Sequence, residues 1–135
     1  LDVLPSSARA IAPGETVALP GVEVSAVPAY NIDKPNHPRS NGWVGYVVSV
    51  DGTRIYHAGD TDLIPEMRTI RADIALLPIG GTYTMTAEEA VDAVRLLRPS
   101  AVIPMHYGPL VGTAEDAERF RRLAGAVAVV RHVRA

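Results

Sequence analysis

A chain of 135 residues with a formal net charge of -2 is long enough for one domain with its own core. No basic stretch offers a nucleic-acid footprint, and no apolar run reaches the length of a membrane span. There is no cysteine, so disulfides and thiolate metal sites are excluded, and any metal must be held by His, Asp, Glu or Asn.

The chain begins LDVLPSS, without Met, which suggests a processed product or a piece of something longer. No signal-peptide pattern opens it, so a cytoplasmic location is the expectation. Residues 15–19 and 21–27 read as two short strands across the turn dipeptide Pro20-Gly21. Residues 28–42, PAYNIDKPNHPRSNG, form a long polar loop, and long loops inside compact domains are usually functional or mobile. Strands over 43–50 and 53–57 are joined by Asp51-Gly52, a strong hairpin signal. Asp62 then opens a short helix over 63–70, with Pro65 in its first turn.

The continuous apolar run 72–79 predicts a strand covered on both faces. Thr86 to Glu89 is a capping box for a helix over 87–97, which Pro99 stops. A buried strand follows over 101–105. Thr113 to Asp116 repeats the cap for a helix over 114–124, with Phe120 and Leu123 on one side. A last strand is expected over 126–133. The order is a β-rich first half followed by βαβαβ, an α/β domain with helices packed on a sheet. Three helices cannot cover both faces of that sheet, so one face is expected to lack a cover within the chain.

Two strand ends carry chemistry. Asp60 follows Gly59 after TRIYH, and His106 follows AVIPM. Ligands collect at the carboxyl ends of strands in such sheets. From spacing alone the pair fits two readings. One is a metal-binding carboxylate and imidazole; the other is a turn residue and a hydrogen-bonded strand end. His57 fits a residue orienting a ligand, or a plain backbone-bonded histidine. His37, on the long loop, is placed to reach over a site or to stand in solvent. Gly80 and Gly81 allow close approach of a ligand, or simply turn the chain into the capped helix.

In order and spacing, HAGDTD (57–62), DIALLPIGGTYTM (73–85) and IPMHYG (103–108) resemble the C-terminal half of metallo-β-lactamase-fold hydrolases. PAYN (28–31) and NGWVGYVV (41–48) resemble the ascorbate-6-phosphate lactonase-like branch. The resemblance implies half of an αββα sandwich: a mixed sheet with helices on one face. It implies a site for two divalent metals, zinc or another, in the intact domain. Asp60 then matches the carboxylate bridging both metals, and His106 the last histidine ligand. The family's middle histidine ligand falls on Asn31, a poorer zinc ligand, so either His37 substitutes from the loop or the second metal site is weaker. Gly80, Gly81 and Tyr83 would line the substrate pocket.

The family's His-x-His-x-Asp-His motif, which belongs to the N-terminal half, is absent. Residues 1–135 therefore read as the C-terminal half of the domain. The implied function is hydrolysis of a small-molecule ester, lactone or phosphoester through metal-bound hydroxide, with an incomplete site. The alternatives are an inactive half-domain acting by binding or assembly, and a homodimer that rebuilds the sandwich from two copies. The expected partner is the missing half or a second copy, with neither nucleic acid nor membrane.

Overall fold

The computed structural model describes residues 8–130. Six strands form one mixed sheet in chain order: β1 (Thr16–Leu19), β2 (Val22–Pro28), β3 (Val44–Val50), β4 (Thr53–His57), β5 (Ile74–Pro78) and β6 (Ala101–Met105). The first four strands are antiparallel neighbours; β4, β5 and β6 run parallel. Asp51 and Gly52 both adopt positive φ, as the tight hairpin between β3 and β4 requires.

Two helices, α1 (Ala87–Leu97) and α2 (Ala114–Ala124), start at the capping boxes of Thr86 and Thr113. Each threonine accepts from the backbone N–H three residues on, and the acid there reaches back to the threonine's own N–H. Both helices supply one core, on one face of the sheet. Tyr56, Leu77 and Val102 from the strands meet Ala90, Val91 and Phe120 from the helices, with Ile64 and Met67 beside them.

The opposite face differs. Val24, Val48, Ile55 and Ile74 share it by register, as do Leu76 and Ile103. None belongs to the core cluster, and Ile103 is 37 % exposed. The expected mixed sheet with helices on one face is what the chain forms.

Two elements differ from the sequence reading. The helix expected over 63–70 is a 3-10 turn over Pro65–Thr69, and its cap residue is Ile64 rather than Asp62. Asp62 is buried, and its carboxylate is spent on the long loop instead of a helix N-terminus. The strand expected over 126–133 begins as a 3-10 turn, Gly125–Val127. A single parallel bridge then joins Ala128 to Val102, and 131–133 lie outside the described residues.

Candidate metal centre

Three parallel strands end at one rim. Asp60 lies just beyond β4, Gly80 just beyond β5, and His106 directly after β6. Gly80 follows the middle strand, and its missing side chain lets the ends of the outer two close. A Cβ there would lie 2.5 Å from the His106 carbonyl oxygen and 3.4 Å from its Nδ1. His106 holds φ at 54°, the left-handed region that is uncommon for residues other than glycine.

Asp60 is the meeting point. Its Oδ1 lies 3.5 Å from His106 Nε2, and its Oδ2 lies 3.4 Å from His37 Nε2. An N–H···O hydrogen bond normally spans about 2.7–3.2 Å, so both contacts are long for one. Two donors on one tetrahedral zinc, each about 2.0–2.2 Å away, stand about 3.3–3.6 Å apart. The donor chemistry and spacing fit a divalent ion at each carboxylate oxygen. Each position then has two protein donors from the described residues. Consistently, among those residues no group of three His, Cys, Asp or Glu is arranged to hold an ion.

His37 reaches Asp60 because the long loop is pinned beneath it. His37 Nδ1 lies 3.0 Å from Asn31 Oδ1 and 3.2 Å from the Tyr83 carbonyl oxygen. Both are acceptors, so Nδ1 carries the proton and Nε2 presents its lone pair toward Asp60. Asn31 is buried, and its amide is occupied at both ends. Its Oδ1 also accepts from the His37 N–H, while Nδ2 donates to the Tyr83 carbonyl and to Asp62. Trp43 packs edge-on to the His37 ring, centroids 5.3 Å apart.

Asp62, Thr61 and Lys34 hold the loop that carries His37, a role that the local sequence pattern does not reveal. Asp62 is 4 % exposed and accepts from the Ile32 N–H at 2.9 Å and from Lys34 Nζ at 2.6 Å. Thr61 Oγ1 accepts from the Tyr30 N–H at 3.2 Å. In GDTD, then, the first carboxylate faces the centre and the next two residues anchor the loop that brings His37 to it. The Asp-Thr-Asp cluster was visible in the sequence, but its partners lie about thirty residues upstream and have no local signature.

His57 is exposed, and its Nδ1 accepts from the Gly59 N–H at 3.2 Å. Among the described residues it has no hydrogen bond or ion pair to Asp60, His37 or His106. Gly81 holds φ at 75°, and its N–H donates to the Met85 carbonyl. Tyr83 exposes its ring while its carbonyl holds Asn31 and His37.

Known proteins share this arrangement of the chain. Residues 1–106 match the family model described as a beta-lactamase superfamily domain. A metal-dependent hydrolase of Thermococcus onnurineus is 42 % identical over 110 residues, which cover 78 % of this chain and 49 % of that protein. A Parabacteroides distasonis protein of solved structure superposes with a TM-score of 0.79 at 34 % identity, over 92 % of this chain and 57 % of its own. A Thermotoga maritima structure of the metallo-β-lactamase superfamily gives 0.67 at 27 % identity, over 85 % and 58 %. The chain thus spans about half the length of the relatives it matches. On the match over most of its length, this chain belongs to the beta-lactamase superfamily domain family and carries the metallo-β-lactamase fold.

Proposed function

We propose that this chain is the metal-binding half of a metal-dependent hydrolase acting on a small-molecule ester, lactone or phosphoester. The observation that carries the reading is the pair of histidine nitrogens, each set on its own oxygen of Asp60 at the spacing of two ligands on one ion. Asp60 would bridge two ions, with His37 on one and His106 on the other. A bound divalent metal supplies Lewis acidity and lowers the pKa of its water toward neutrality. This chain's own groups position that chemistry. The Asn31 amide and Tyr83 carbonyl fix the tautomer and direction of His37, and Gly80 admits His106 to the rim. Gly81 and the Tyr83 ring border the space where a substrate would sit.

The remaining donors come from outside the described residues, because catalytic zinc normally has three protein ligands plus water. The half-length match, and the sheet face that no helix covers among the described residues, support that division. The same shortfall supports a second reading, an inactive half-domain that acts by assembly.

Zinc titration of the purified chain, followed by calorimetry and by fluorescence of Trp43, tests both. Zinc is expected to bind weakly, to remain at well under one per chain after dialysis, and to lose its site in Asp60→Ala and His106→Ala. Binding untouched by those substitutions would remove the proposed centre. Tight stoichiometric zinc with strong esterase activity in the isolated chain would remove the incomplete site. Activity that appears once the N-terminal half is supplied separates the hydrolase from the inactive half-domain.

A further inference from the structure

A second concave site lies at the opposite end of the sheet. A cleft of about 300 Å³ is lined by Arg54, Arg71, Asp73 and Arg98, with Gly52 and Leu97 at its edge. Arg54 is the second residue of β4, Asp73 directly precedes β5, and Arg98 caps α1 just before β6. The cleft thus sits at the amino ends of the same parallel strands whose carboxyl ends carry Asp60 and His106. From Arg54 to Asp60 the chain advances roughly 20 Å at about 3.3 Å per residue.

The hydrogen-bond inventory of the cleft is one-sided. Its acceptors are largely spent: one Asp73 carboxylate oxygen takes the Arg54 N–H at 2.8 Å. The Asp73 carbonyl takes the N–H groups of Ser100 and Ala101, and the Arg54 carbonyl takes the Asp73 N–H. Its guanidiniums are exposed and, as at Arg68 and Arg122, have no protein acceptor among the described residues; what sets them apart is that they share one concavity. Arg39, Arg95, Arg119 and Arg121 each pair with a carboxylate. The guanidiniums of Arg54, Arg71 and Arg98 have no hydrogen-bond or acidic partner among the described residues. Three cations against one carboxylate leave a formal charge of +2 in one concavity, which concentrates the field there.

Arg98 adds an independent sign. It ends α1 with φ at 50°, pinned by its N–H to the Val94 carbonyl. Glycine is the usual residue at such a left-handed helix end. The helix C-terminus alone would favour a cation there. It does not account for Arg54 and Arg71, which come from a strand and a loop and converge on the same space.

We infer that this cleft binds a small, multiply charged oxyanion of the phosphate class, held by Arg54, Arg71 and Arg98. Guanidiniums match such oxygens with paired N–H donors, and a polyanion is the ligand that uses three of them at once. The inference is independent of the metal centre.

The test is thermal unfolding of the 135-residue chain in EDTA, titrated with pyrophosphate at constant ionic strength. A saturable rise in Tm is expected, with half-effect on the order of millimolar. Acetate at equal ionic strength should be silent. Arg98→Gly relieves the left-handed backbone, so it should fold at least as stably as the parent while weakening pyrophosphate roughly tenfold. Arg71→Ala should weaken it similarly. A rise reproduced by sodium chloride, or one that persists in Arg71→Ala with Arg98→Gly, overturns the assignment. So does a response that vanishes in EDTA and returns with zinc, since the anion would then sit at the metal centre.

Discussion

Asp62→Asn tests the most consequential structural link, the one between the GDTD turn and His37. The parent carboxylate accepts from the Ile32 N–H, from Asn31 Nδ2 and from Lys34 Nζ. Asparagine keeps the shape but offers one acceptor, and turns an amide donor toward a crowd of donors. Losing a charged hydrogen bond costs about 1.5–3 kcal/mol, and breaking a buried ion pair about 3–5 kcal/mol. The Lys34 side chain is 25 % exposed, so the ion-pair share is reduced by solvent screening. A net of about 2–4 kcal/mol follows, expressed locally as opening of residues 28–42. Amide exchange at Ile32 and His37 should therefore accelerate roughly 30- to 700-fold, at about 1.4 kcal/mol per factor of ten. Lys34→Met should give a smaller acceleration, because Asp62 keeps its two neutral donors. Zinc affinity should fall in step with loop opening in both variants. Exchange at Ile32 and His37 that is unchanged in Asp62→Asn would show that the carboxylate does not hold the loop.

Burial holds the Tyr56 phenol well above its ordinary value, so the folded state keeps a proton that the unfolded chain loses above about pH 10. Stability then falls with rising pH, by up to about 1.4 kcal/mol per unit, and Tyr56→Phe should flatten that limb in urea titrations. Tyr56→Phe should also gain about 1 kcal/mol near neutrality, because the buried hydroxyl has no partner among the described residues. Gly80→Ala forces a Cβ onto the His106 backbone oxygen and should lower the urea midpoint by the equivalent of about 1–3 kcal/mol, with weaker zinc retention. Thr86→Ala removes the α1 cap and should cost about 1 kcal/mol in the same assay, leaving zinc binding unchanged.

The sequence exposed what is local. Capping boxes at Thr86 and Thr113, the Asp51-Gly52 turn and the run AVIPM set their elements almost to the residue, because each signal lies within a few positions of what it determines. It misplaced what depends on distant partners. LIPEMRTI has an acceptable helical pattern, yet Ile64 and Met67 are drawn into the core and leave room only for a 3-10 turn. Leu123 follows Phe120 at helical spacing, yet it stays 51 % exposed while Phe120 is fully buried. At the candidate centre the outer residues, Asp60 and His106, stood out as polar ends of apolar runs. Asp62 reads locally as a helix opener and Thr61 carries no local signal of its own, since their work is to hold a segment thirty residues away. Asn31 fell on a ligand position by resemblance, while its amide is occupied by His37, Asp62 and Tyr83.

No helix among the described residues covers the opposite sheet face, and that bears on how the chain exists in solution. Val24, Val48, Ile55, Ile74, Leu76 and Ile103 form a continuous apolar surface across β2 to β6, and Leu19 extends it at 57 % exposure. A fully wet face would forfeit on the order of ten kcal/mol. Most of these side chains are half-buried by their neighbours, so the loss is smaller, several kcal/mol at roughly 25 cal/mol per Å² of apolar surface. That is still comparable with the whole stability of many domains. Closing the face against a second copy, or against the half of the fold that the longer relatives carry, recovers it. Light scattering of the isolated chain should therefore report a dimer or larger species. Ile55→Glu with Leu76→Lys, placed at the centre of the face and outside the core, should shift it to monomer while helix content is retained. A monomeric parent that unfolds cooperatively and binds no hydrophobic dye would show that the face is at home in water, and the half-sandwich account of this chain would then fail.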